Sequence, residues 1–198
     1  MKFLQYINEK RKRNVIVVDI QPMYKNAIMF STVKFANWLK EQDKILYFYN
    51  GPDTVGQDTE NDIKRWLLEE ISDYDEDLEY KLNHDTIWID KGYAFFRNWM
   101  DMGSDIGFIK KAIRFMLSKK ENDSRDINPE VWEENFPNDW NSDYEDDSIY
   151  LPDVPINILK KFKGSYIVGG GKDECLKEVQ LLMSVFNIKA TPVKDFIY

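Results

Sequence analysis

The chain has 198 residues, 43% of them hydrophobic and 15% aromatic, and a formal net charge of −8. That is enough apolar material for one domain with a sizeable core, and no run approaches the roughly 18 apolar residues of a membrane span. The charge is uneven, with eleven acids against Arg125 in residues 121–147 and seven acids with no base from Glu69 to Glu79, so no phosphate-binding face is expected and nucleic acid is not the expected partner.

One cysteine, Cys175, makes no intrachain disulfide, which fits a reducing cytoplasm. Charges run up to Arg13 and only Val15-Ile16-Val17-Val18 follows, too short for a signal-peptide core. Asn14 to Ile20 is a β-branched run ending in an acid, the pattern of a buried parallel strand. Val33, Ala36, Trp38 and Leu39 predict a helix from Ser31 or Thr32 to about Gln42, and Ile45 to Tyr49 a second strand. Thr59-Glu60-Asn61-Asp62 resembles a capping box opening a helix to about Glu70. Thr86 to Asp90 reads as a third strand. Ser104 is the expected cap of a long helix with Ile109, Ala112, Ile113 and Met116 on one stripe.

From Lys119 to about Ser148 regularity fails, apart from a brief helical stretch at Asn128 to Asn135, so residues 120–150 read as an acidic excursion. Pro155 to Phe162 is a short helix, Tyr166 to Val168 a strand, and Leu176, Val179, Leu182 and Met183 stripe another helix. Ile188 to Val193 is expected to close the sheet as a strand. Strand and helix alternate, so the fold class is α/β, a mainly parallel sheet with helices on both faces, in one domain over residues 1–198.

Three strand ends carry chemistry. Asp19 follows the first strand, Lys91 the third, and Gly169-Gly170-Gly171 precedes Cys175 at the start of a helix. In a parallel sheet these ends share one edge, where ligands bind. A thiol at a helix N-terminus is expected to be drawn toward thiolate, the nucleophilic form. A carboxylate base and an ammonium beside it complete a nucleophilic site, with Asp19, Lys91 and Cys175 as the catalytic candidates.

These residues carry a family resemblance. A strand ending in Asp-x-Gln (Asp19-Ile20-Gln21), a later lysine ahead of small and aromatic residues (Lys91-Gly92-Tyr93-Ala94-Phe95-Phe96), and a cysteine six positions after a glycine (Gly169 to Cys175) occur in that order. In this the chain resembles the isochorismatase-like cysteine hydrolases, which include the nicotinamidases. The resemblance implies a three-layer α/β/α fold and an Asp19–Lys91–Cys175 triad. It also implies an oxyanion hole from the N–H groups of Gly171 and Cys175, with a cis peptide at Gly170–Gly171. Gln21, Tyr93, Phe95 and Phe96 are the implied substrate contacts. The metal-binding histidines of nicotinamidases have no counterpart, His84 being the sole histidine, so no metal or other cofactor is expected. The expected activity is cleavage of a small amide or related C–N or ester bond in a small-molecule substrate, in a chain open to homo-oligomer formation.

Two other readings stand beside it. Asp19, Asp101 or Asp105, Asp126, Asp173 and Glu174 would suit the Mg²⁺ site of a PIN- or NYN-like nuclease, with Cys175 an ordinary buried thiol. A binding module without chemistry on the same fold is the third. Asp173 and Glu174 also stand beside the thiol in sequence and are expected to raise its pKa through like charge.

Overall fold

The computed structural model describes residues 13–51, 58–70, 74–91, 97–101, 103–118, 134–135 and 154–198. Five short strands form one sheet: β1 (Val15–Val18), β2 (Ile45–Tyr49), β3 (Thr86–Asp90), β4 (Tyr166–Gly169) and β5 (Thr191–Pro192). Their order is β3-β2-β1-β4-β5 and every pairing is parallel. Successive side chains of a strand point to opposite faces, so Val15 and Val17 enter one core and Ile16 and Val18 the other. Both faces are buried, which is why the strands read as unbroken apolar runs.

Helices α1 (Thr32–Lys40), α2 (Glu60–Glu69) and α3 (Glu76–His84) cover the first face, with Phe35, Leu39, Ile63, Leu67, Leu78 and Leu82 in its core. Helices α4 (Arg97–Asp101), α5 (Ile106–Ser118), α6 (Ile156–Lys161) and α7 (Cys175–Val185) cover the second, through residues such as Trp99, Ile109, Leu159, Val179 and Leu182. This is the expected three-layer α/β/α sandwich. Among the described residues no helix is long and apolar enough to cross a membrane. Most of the acidic excursion, residues 121–147, lies outside the described residues, as does the brief helix expected there except at 134–135.

Local chemistry sets the helix starts. The Ser31 hydroxyl accepts from the N–H of Lys34 at 3.3 Å, and Thr59 and Asp62 form the capping box in full. Helix α5 begins differently from the expectation, since the Asp105 carboxylate, not Ser104, accepts from the N–H of Phe108 at 3.0 Å. Helix α3 was not expected at all. Its nine residues carry a stripe of only two buried leucines, Leu78 and Leu82, under a surface of acids. Two interactions compensate: Asp75 caps the Leu78 N–H at 3.0 Å and pairs with Lys40 of α1. The last strand is shorter than Ile188–Val193, because only Thr191 and Pro192 pair with β4, and Pro192 has no N–H to donate.

Two glycines separate the role of backbone conformation from that of close approach. Gly169 (φ +83°) ends β4, and a Cβ there would lie 2.1 Å from the Val18 carbonyl oxygen. Gly164 (φ +79°) follows α6 with nothing within 4 Å of a Cβ. Gly164→Ala should cost only the left-handed backbone penalty, roughly 1–2 kcal/mol. Gly169→Ala adds overlap with β1 and should cost more than about 3 kcal/mol. Urea unfolding measures both, and equal losses would refute the tight apposition of the two strand ends.

Candidate active site

The strand order reverses between β1 and β4, whose following connections lie on opposite faces of the sheet. A crevice opens at the carboxyl ends of such a pair. Asp19 is the first residue past β1 and the glycine turn the first past β4, so both border this crevice. Asp19 sits at φ +52°, a left-handed conformation seldom adopted by residues with a Cβ. Its backbone is fixed on both sides: its N–H donates to the Phe48 carbonyl at 2.9 Å, and its own carbonyl accepts from the Tyr198 hydroxyl at 2.8 Å. The strained turn holds the carboxylate in the crevice.

Lys91 is anchored at the end of β3 by its N–H, 2.9 Å from the Tyr49 carbonyl. Its side chain reaches past the end of β2 to place Nζ 3.0 Å from Oδ2 of Asp19, and both side chains are 1% exposed. No backbone or amide donor among the described residues reaches the Asp19 carboxylate. The groups that face it are the Lys91 ammonium and the thiol of Cys175, on which it acts through charge and as a hydrogen-bond acceptor. The three candidate catalytic residues therefore form one buried cluster.

A fourth residue joins them that the sequence reading did not single out. Glu178 lies one helical turn beyond Cys175 on α7, is 0% exposed, and its charge bears on both Lys91 and Cys175. Its signal was an acid at i+3 from the cysteine, between Leu176, Val179 and Leu182 of the buried stripe.

Burial opposes the charge on Lys91, but Asp19, Cys175 and Glu178 outweigh it and hold the ammonium well above the ordinary lysine range. The thiol behaves opposite to the expectation from the helix N-terminus. Burial first, then the Asp19 charge, push Cys175 up to about 12 against the lowering effect of Lys91. The resting site thus holds a neutral thiol. Asp173 and Glu174 do not cause this, because both side chains are exposed; the like charges acting on the sulfur are Asp19 and Glu178. Lys172 and Asp173 line a separate cavity of about 720 Å³ on the outer side of α7 with Lys194 and Ile197.

The glycine turn reverses the chain through positive φ at Gly169 and Gly170 (φ +60°), and no cis peptide occurs among the described residues. The expected cis bond at Gly170–Gly171 is therefore absent; two left-handed glycines accomplish the reversal with trans bonds. The N–H groups of Lys172, Glu174 and Leu176 are taken by the carbonyls of Tyr198, Gly171 and Gly171. The N–H groups of Gly171 and Cys175 make no such backbone bond among the described residues, so they are open to an incoming oxyanion.

Gln21 is buried at the same edge, but its amide is committed. Its Nε2 donates to the Asn50 carbonyl at 3.1 Å and to Asp58, and its Oε1 accepts from the Asn50 N–H at 2.9 Å. Its place is that of a clamp between the ends of β1 and β2 rather than a substrate contact. Tyr93, Phe95 and Phe96 lie outside the described residues. So does Asp126; of the other nuclease candidates, Asp101, Asp173 and Glu174 are exposed and Asp105 caps α5. Among the described residues no three His, Cys, Asp or Glu side chains gather in a way that could hold a metal ion. Comparisons with family models, with curated proteins and with solved structures match nothing.

Two measurements follow. Since Asp19 raises the thiol and Lys91 lowers it, Asp19→Asn should alkylate at Cys175 about ten-fold faster at pH 8, and Lys91→Met more slowly. Iodoacetamide kinetics read this; the opposite order would refute the assigned field. The second concerns stability. The folded thiol keeps its proton to about 12, whereas a thiol in the unfolded chain releases it near pH 8.5. The folded state therefore binds more protons between these values, and the stability contributed is complete below the lower one and lost as pH rises toward the upper. Wild type should lose more stability than Cys175→Ala between pH 8 and 10, and parallel losses in urea unfolding would contradict this.

Proposed function

We propose that the protein is a cysteine hydrolase of the isochorismatase-like type, cleaving a small amide or related C–N or ester bond through Cys175. The observation that carries this reading is the buried Asp19–Lys91 ion pair at 3.0 Å with the Cys175 thiol against the same carboxylate. Taking two charges out of water costs several kcal/mol per ion, so a structural role alone gives little reason to place them beside a thiol. Perturbed titratable groups gathered in a crevice are the signature of chemistry.

Because the thiol is neutral at rest, nucleophile formation and attack are coupled. As sulfur bonds to the substrate carbonyl carbon, Asp19 accepts the thiol proton and the carbonyl π-electrons move onto oxygen. The N–H groups of Gly171 and Cys175 receive that oxyanion. Removing one such donor costs on the order of 10²–10³ in rate. Collapse re-forms the carbonyl and breaks the C–N or C–O bond, and the proton on Asp19 passes to the leaving amine or alkoxide. Water then attacks the thioester while Asp19 takes its proton. The C–S bond breaks, the proton returns to sulfur, and a carboxylic acid leaves. Lys91 stays charged throughout and orients the carboxylate toward the sulfur.

An activated ester such as p-nitrophenyl acetate serves as a probe before the substrate is known. Wild type is expected to show a burst and one acetyl adduct on Cys175 by intact mass. Cys175→Ala should retain the fold by circular dichroism and lose turnover by at least about 10³-fold. Undiminished turnover in that variant would end the proposal. Mn²⁺-dependent cleavage of RNA, lost in Asp19→Asn and kept in Cys175→Ala, would decide for the metal nuclease.

A further inference from the structure

We propose that Glu178 is a positioning residue of this site: a second buried carboxylate, one helical turn from Cys175 on the inward face of α7, that shares the Lys91 ammonium with Asp19. The inference rests on the hydrolase reading and deepens it by assigning the counter-charge that the proton transfer requires.

The geometry begins with the helix. Residues three apart lie on one face, so Cys175 and Glu178 project to the same side of α7, toward the sheet edge. Glu178 is completely buried although the helix has an exposed side at Lys177, where a carboxylate could be solvated freely. Buried carboxylates in proteins are paired or hydrogen-bonded. The cation whose field it shares is Lys91, itself 1% exposed. The remaining titratable groups acting on the thiol are Asp19, Tyr24 and Tyr198. Helix α5, packed against α7, contributes Ile109, Ala112 and Ile113 to the core and keeps Lys111 and Arg114 exposed.

The chemistry supplies the reason for a second carboxylate. When Asp19 takes the thiol proton it becomes neutral, and its pairing with Lys91 is lost at the moment the tetrahedral intermediate forms. An ammonium buried at that point without a counter-charge would raise the barrier. Glu178, which takes no proton in the cycle, keeps Lys91 compensated while Asp19 is protonated. It also adds negative charge near the sulfur, so it raises the thiol at rest. Two effects of opposite sign on reactivity follow from one carboxylate, and they separate positioning from mere packing.

The test is Glu178→Gln, which keeps shape and removes charge. Alkylation of Cys175 should become faster at every pH from 7 to 9, by up to about ten-fold. Turnover of p-nitrophenyl acetate should fall, with kcat lower on the order of ten- to a hundred-fold and KM within about two-fold of wild type. A residue that only fills space would shift neither the alkylation profile nor kcat alone. Glu178→Asp, which withdraws the carboxylate by one methylene, should retain most of the resting effect on alkylation and only part of kcat. An alkylation profile unchanged in Glu178→Gln overturns the proposal, as does wild-type kcat in that variant. Should Glu178→Gln fail to fold, wild-type alkylation and kcat in Glu178→Asp overturn it instead. Loss of the hydrolase reading is told apart by the wild-type protein itself, through turnover that persists in Cys175→Ala.

Discussion

The ion pair between Asp19 and Lys91 is the constraint to which the rest of the site answers. Its partners belong to strands that are not neighbours: β2 lies between β1 and β3, and adjacent strands stand about 4.8 Å apart. The lysine stem must cross the carboxyl end of β2, so whatever follows Tyr49 has to leave room. Asn50-Gly51 does so. A Cβ on Gly51 would fall 1.9 Å from Oδ2 of Asp90, and the Gly51 N–H instead donates to Oδ1 of that carboxylate at 3.0 Å. Gln21 fastens the same turn to β1 through both edges of the Asn50 peptide. The three strand ends are thereby locked in the register that brings ammonium to carboxylate. Loss of either charge would leave the other buried and uncompensated, which is where buried pairs become costly.

The location of the pair follows from topology. Connections from β1 through β3 pack on one face and those after β3 on the other, so the chain separates beyond β1 and β4 and leaves space at their ends. Gly169 lets β4 close against β1 up to its last residue, and Gly170 then turns the chain so that α7 starts over the crevice. Tyr198 ties the two sides together, its hydroxyl on the Asp19 carbonyl and its own carbonyl on the Lys172 N–H at 3.0 Å. A residue far from Asp19 in sequence therefore supports the left-handed turn that aims the base.

Much of this was legible in the chain because the relevant signals are strong and local. Both faces of β1 and β2 are buried, so NVIVVDI and ILYFY stand out without any alternation. Once the strands are parallel, Asp19, Lys91 and Cys175 must share an edge. Helix α3 was hidden because seven acids mask a stripe of two leucines; its stability comes from a cap and an ion pair to α1, which periodicity does not register. The conformation of Gly170–Gly171 was also beyond reach, since composition says that a turn is tight but not which dihedrals make it so. Glu178 escaped notice for a different reason. An acid on a helix is ordinarily read as solvated, and only the direction of α7 relative to the sheet turns this one inward.

The state of the thiol is where magnitudes decide between two correct principles. A helix N-terminus favours an anion by about 0.3–1 kcal/mol, less than one pKa unit. Burial in a low-dielectric site can act over several units, and a carboxylate neighbour adds to it. Cys175 experiences all of these, and the larger effects leave it protonated. A neutral sulfur is a poor target for oxidants and stray electrophiles, so the site is quiescent until a carbonyl is bound where the free N–H groups of Gly171 and Cys175 can take its charge. Lys91 by itself would favour a standing thiolate. With Asp19 directly on the ammonium and Glu178 nearby, that attraction is offset, and the proton leaves sulfur only when a bond to carbon replaces it. In this arrangement the second carboxylate is what makes the first available as a base, since the ammonium does not depend on Asp19 alone for its compensation.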